Sequence, residues 1–173
     1  MENLIRKMQV GEIPAKPCVV ISDNPEAAAI EKAKRLSVPV AVVPRKNFST
    51  KQDFEAAIEE YLRHHQADLI CLAGFMRILS PEFIRKYPGK IINIHPSLLP
   101  AFPGAHGIRD ALEAKVKETG VTVHYVDEGI DTGEMILQRK IAIDPKDTLE
   151  SLEVKIHAAE YELYPEALRK ILP

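Results

Sequence analysis

Tryptophan is absent from the 173 residues, and cysteine occurs only twice. Cys18 and Cys71 lie far apart, each inside an apolar run. That excludes a disulfide framework or a thiolate zinc site and points to buried thiols in a cytoplasmic protein. An excess of one charge is also lacking, since 23 Lys and Arg against 25 Asp and Glu leave a net −2. A chain so balanced has no basic footprint for nucleic acid, and no nucleic-acid partner is expected. No apolar run approaches the roughly 18 residues that span a bilayer, so no membrane partner is expected either. The first eight residues interleave charged and apolar side chains, unlike a signal peptide. Gly-x-Ser-x-Gly, Walker A and Gly-x-Gly-x-x-Gly motifs are missing, which disfavours serine hydrolysis and NTP hydrolysis.

What is present is an ordinary globular composition, 46% hydrophobic and 28% charged. The length predicts one domain, residues 1–173, able to bury about 70% of its unfolded surface. Short apolar runs alternate with helical patterns. Runs over 17–22, 38–43, 69–73, 91–94 and 121–126 read as strands, mostly buried and parallel. Leu4, Ile5 and Met8 mark a first helix. Asn24-Pro25 starts another that ends at Leu36. Thr50 and Asp53 form a weak capping signal before a face of Phe54, Ala57, Ile58, Tyr61 and Leu62. Ser80-Pro81 opens a short helix closed by Tyr87-Pro88-Gly89, and residues 108–116 form another. Asp147 with Glu150 resembles a capping box for a long final helix, which Pro165 should kink or split. Leu137, Arg139, Ile141 and Ile143 alternate with Gln138, Lys140 and Ala142, which suggests a half-exposed strand at or near a sheet edge. No helix fits in residues 127–134, so the last two strands are expected to pair antiparallel. The predicted fold is an α/β open, mostly parallel, doubly wound sheet with that antiparallel pair near the C-terminus.

Two segments could carry chemistry. Asn93 and His95 alternate along one predicted strand, so both project to one side at its C-terminal end, where ligands bind in such sheets. An amide donor beside an imidazole suits a carbonyl whose oxygen gains charge. The turn from Val126 to Glu134 holds four carboxylates, one of which could orient the imidazole. The simpler reading, a polar turn joining two strands, is favoured over it. The stretch from Pro96 to Gly107, with three prolines and two glycines, is a long constrained loop of the kind that is usually functional. His64-His65 and His106 read as surface. His124, alternating with Thr122, could support a site from behind. His157 and Glu160 lie one helical turn apart, too few ligands for a metal, and no metal is expected.

Three segments together carry a resemblance: residues 73–81 with Phe75-Met76-Arg77-Ile78-Leu79, residues 93–100 with His95-Pro96-Ser97-Leu98-Leu99-Pro100, and Asp131-Thr132-Gly133. Over nearly its whole length the chain resembles the folate-dependent formyltransferases, a Rossmann-like family. The first two segments favour the members that formylate glycinamide ribonucleotide in de novo purine synthesis. The resemblance implies Asn93, His95 and Asp131 as the catalytic trio and 10-formyltetrahydrofolate as cosubstrate. It implies a folate pocket at Met76, Arg77, Ile78, Leu79, Asp127, Glu128, Gly129 and Ile130. It assigns Glu160, His157 and Pro96 to the nucleotide. Family members are monomers or homodimers acting on small molecules. Formyltetrahydrofolate deformylase, a hydrolase, is the nearest alternative; an inactive folate-binding fragment is another. Methionyl-tRNA formyltransferase fits less well. In the family a first strand and a Gly-rich loop hold the substrate phosphate. The match here starts just after that loop, so the expectation is a phosphate site without its main donors and a chain that is unstable or poorly active.

Overall fold

The computed structural model describes residues 1–173, which divide into two compact units. The first holds residues 1–69 with the last two residues, the second residues 70–171. No helix is long and apolar enough to cross a membrane.

In the first unit the elements are α1 (Glu2–Gln9), β1 (Val20–Ser22), α2 (Ala28–Arg35), β2 (Val40–Val42) and α3 (Lys51–His64). β1 and β2 pair in parallel, Val20 opposite Val40. Ile5 of α1, Ala33 of α2 and Val38 pack into one apolar cluster, which Val20 and Leu36 extend. Both strands are shorter than the apolar runs suggest, and β1 is only half-buried. α2 begins three residues beyond Pro25 because the Asn24 side chain is used elsewhere. Its Oδ1 accepts from Glu26 N at 3.0 Å, closing a local turn instead of capping a helix. Thr50 does cap α3, with Oγ1 accepting from Asp53 N at 3.0 Å. Phe54, Ile58 and Leu62 of the expected face are buried, whereas Tyr61 is 39% exposed.

The second unit carries the site. Its elements are β3 (Ile70–Cys71), α4 (Pro81–Lys86), β4 (Ile91–His95), α5 (Gly107–Glu113), β5 (Glu118–Tyr125), β6 (Met135–Ala142) and α6 (Leu149–Ile171). The sheet order is β3-β4-β5-β6. β3 and β4 are parallel, and β5 and β6 form the expected antiparallel pair. The reversal already begins at β4–β5, which is also antiparallel, with His95 opposite Thr122 and Asn93 opposite His124. Ser80 caps α4 by accepting from Phe83 N at 3.1 Å.

α6 packs on β5 and β6 and buries Leu152, Ile156, Leu163 and Leu168, all at most 2% exposed. Its reciprocal cap lies one residue later than expected. Thr148 Oγ1 accepts from Ser151 N, and Ser151 Oγ accepts from Thr148 N. Asp147 instead binds Lys155 at 2.6 Å and Ser151 Oγ at 2.8 Å, so its carboxylate reaches past the cap to the second turn. Pro165 does not split α6, which runs unbroken through it. The Tyr164 hydroxyl donates to the carbonyls of Leu72 (2.9 Å) and Ile92 (3.1 Å), tying α6 to the residue after β3 and to β4. Burial raises the Tyr164 phenol well above its ordinary value and pushes the nearby Cys71 thiol up to about 11. Both stay neutral.

Candidate active site

The site grows from register. Residues directly opposite on neighbouring strands project from the same face. Asn93 and His124 therefore share a face, and so do His95 and Thr122. Alternation along β4 puts Asn93 and His95 on that same face. The β5–β6 connection then delivers Asp131 to it. Asp127 Oδ1 accepts from Gly129 N and Thr132 Oγ1, which curls the turn. Gly133 lies so close to the Tyr125 carbonyl that a Cβ would stand 1.8 Å from its oxygen, so a side chain there would push the turn away. Asp131 itself adopts a left-handed φ of 53°, a conformation aspartate tolerates.

Four polar side chains converge. Asp131 Oδ2 lies 3.4 Å from His95 Nδ1, and Asp131 Oδ1 lies 3.6 Å from His124 Nε2. Asn93 Nδ2 is 3.4 Å from His124 Nε2. Backbone groups fix the rings. His95 Nε2 is 2.8 Å from the Phe102 carbonyl oxygen, which only accepts, so Nε2 carries a hydrogen. His124 Nδ1 donates in the same way to the Tyr125 carbonyl at 2.8 Å. That leaves Nε2 of a neutral His124 to accept from the Asn93 amide, which turns the Asn93 oxygen away from the ring. Asp131 Oδ2 also accepts from Gly104 N at 2.8 Å. His95 thus presents both nitrogens to oxygens that accept, a carboxylate and a carbonyl. His95 is 4% exposed and His124 2%, so these contacts act with little solvent between them.

His124 supports the cluster from the neighbouring strand, with Nε2 3.4 Å from the Asn93 amide and 3.6 Å from Asp131 Oδ1, and its cross-strand pairing with Asn93 is invisible along one strand. Phe102 O and Gly104 N, supplied by the proline-rich loop, were also missed as backbone partners. So was Gly107, the first residue of α5, where a Cβ would sit 3.1 Å from Phe102 O and 3.2 Å from His95 Nε2.

The remaining expected residues stand outside these four side chains. Met76, Ile78 and Ile130 expose large apolar side chains, at 77%, 60% and 54%. Arg77, Asp127, Glu128 and Gly129 are exposed, whereas Leu79 is buried at 7%. Arg85 on α4 donates to Glu128 at 2.9 Å, which ties α4 to the 127–131 turn. Pro96 follows His95 directly. His157 and Glu160 stand one turn apart on α6 and bond to each other at 2.9 Å.

The fold and this cluster define a class. The formyl transferase family model matches residues 1–168, and the chain belongs to that family. The phosphoribosylglycinamide formyltransferase of Bacillus subtilis (strain 168) is 44% identical over 171 residues, covering 99% of this chain and 88% of that protein. Among solved structures, phosphoribosylglycinamide formyltransferase from Bacillus halodurans superposes with a TM-score of 0.96 at 44% identity, over 99% of this chain and 88% of the other. Glycinamide ribonucleotide transformylase 1 from Geobacillus kaustophilus also gives 0.96, at 47% identity, over 99% and 92%.

Proposed function

We propose that this chain transfers a formyl group from 10-formyltetrahydrofolate to the primary amine of glycinamide ribonucleotide. The observation that carries the reading is the cluster of Asn93, His95, His124 and Asp131 on one sheet face, in a chain 44% identical to a phosphoribosylglycinamide formyltransferase over nearly its full length. We read the two compact units as one formyltransferase domain over 1–173, because the family match runs through both.

The chemistry follows from what each side chain can do. The amine attacks the formyl carbon, and the carbonyl π pair moves onto oxygen. Asn93 Nδ2 and a protonated His95 donate to that oxyanion, His95 exchanging the Phe102 carbonyl for it. One such donor is worth roughly 2.7–4 kcal/mol in the transition state. Asp131, on the other nitrogen, holds the ring and balances its charge. The proton released by the attacking amine passes by way of Asp131 and water to the folate nitrogen. The bond from carbon to that nitrogen then breaks and the carbonyl re-forms. His124 keeps the Asn93 amide turned for donation. The exposed Met76, Ile78 and Ile130 offer apolar surface to a flat pterin, and His157 with Glu160 is assigned to the nucleotide.

The test is a spectrophotometric assay of deformylated folate, run with and without glycinamide ribonucleotide. Product that requires the nucleotide is expected. Formate release without it would favour the hydrolytic alternative.

A further inference from the structure

The row of side chains that begins at His95 does not end at Thr122. Thr122 stands opposite His95 on one side and opposite Gln138 of β6 on the other. Gln138 Nε2 donates to the Leu99 carbonyl at 3.0 Å and to Thr122 Oγ1 at 2.8 Å. Thr122, fully buried, donates to the Ser97 carbonyl at 2.7 Å and accepts from Leu99 N at 3.2 Å. Ser97 Oγ donates to the Ala101 carbonyl at 2.6 Å. Three side chains thus fix the backbone of residues 97–101. The next residue, Phe102, has a φ of 54° and places its carbonyl on His95 Nε2, and Gly104 N then reaches Asp131. The loop meets the imidazole and the carboxylate where the 97–101 turn delivers it.

We propose that Gln138 is a positioning residue for the transfer described above: its amide holds the 97–101 turn, and through it the Phe102 carbonyl that orients His95. Strand pairing needs no amide at this position, because backbone groups make the ladder. Removing the two donors leaves Leu99 O short of a partner and frees the turn to shift. Small displacements of an oriented catalytic group carry large rate penalties. The inference rests on the formyl-transfer reading for its rate effect, but not for its effect on the His95 ring.

The experiment compares the 173-residue parent with Gln138→Met, which keeps length and volume without a donor. Gln138→Glu keeps the shape and only accepts, and it carries the same test if the methionine variant does not fold. Four quantities are read: kcat and KM separately, the pH profile of kcat, the melting temperature, and the nitrogen-15 signals of labelled histidines. The expected result is a fall in kcat of about tenfold or more with both KM values within about twofold. The pH profile shifts and the His95 Nε2 signal moves, while the melting temperature stays within a few degrees. Parental kcat with an unmoved His95 signal overturns the proposal. So does a loss of activity that follows a lowered melting temperature while pH profile and His95 signal stay unchanged. A parent that shows no formyl transfer refutes the function and not this inference, which the His95 signal then decides: moved in the variant, it stands; unmoved, it fails.

Discussion

At the scale of single residues, the side chains of the cluster have separable jobs. In the proposed transfer Asn93 donates, His95 donates and carries charge, and Asp131, 3.4 Å from the other nitrogen, holds His95. Asn93→Ala and Asp131→Ala should each lower turnover by about 10²-fold or more, with melting temperatures close to the parent's. Steady-state rates and thermal melts of the purified variants check this, and near-normal turnover in either contradicts the assigned roles. Gly107 is a less obvious case. A methyl group there meets Phe102 O at 3.1 Å and His95 Nε2 at 3.2 Å, so Gly107→Ala must displace the loop or the ring. Its turnover should fall by up to about 10²-fold while the fold survives. Asn93 and His95 were legible because alternation along one strand needs no tertiary information. Asp131 emerged as one of four carboxylates in a turn, and only the family resemblance singled it out. His124 was legible only as a support behind a site, and Gln138 not at all, because their relation to Asn93 and to Thr122 exists only once strand register is set.

Capping residues show the same division at the scale of elements. Thr50 and Ser80 act within three residues of themselves, so sequence spacing finds them. Asn24 serves a turn two residues long, and Asp147 reaches Lys155 eight residues on, so both spacings mislead about where the helix begins. The Lys155 ammonium, then the Ser151 hydroxyl and the Asp144 N–H, lower the Asp147 carboxyl from its ordinary 3.8 to about 2. The folded state therefore favours the ionised form. The stabilisation is complete above the unfolded value near 4 and is lost as pH falls through about 2. Asp147→Asn should melt below the parent at pH 6, and the two melting temperatures should converge as pH falls through about 2. Tyr164 offers a second test, because its hydroxyl anchors α6 to the Leu72 and Ile92 carbonyls. Tyr164→Phe should cost about 1–3 kcal/mol in a denaturant titration.

On the scale of the whole molecule, alternation of apolar runs with helical patterns made the α/β class readable. Strand direction was less so. A long loop followed by α5 could equally return β5 parallel or antiparallel to β4, and the register shows the antiparallel choice. That choice has a functional consequence. It brings Thr122 and His124 alongside His95 and Asn93, and it sends the β5–β6 turn back over the same face with Asp131. A parallel β5 would carry its following turn off the same end of the sheet as β4, and the paired rows of this site would not form in the same register.

The central claim concerns where the formyl carbon goes. The most direct measurement follows it. Folate carrying a carbon-13 formyl group is incubated with the chain and glycinamide ribonucleotide, and the label is tracked by NMR. The signal should leave the folate and appear as a formamide on the nucleotide, in the parent and not in Asp131→Ala. Label recovered as free formate, or left on the folate in the parent, would contradict the account.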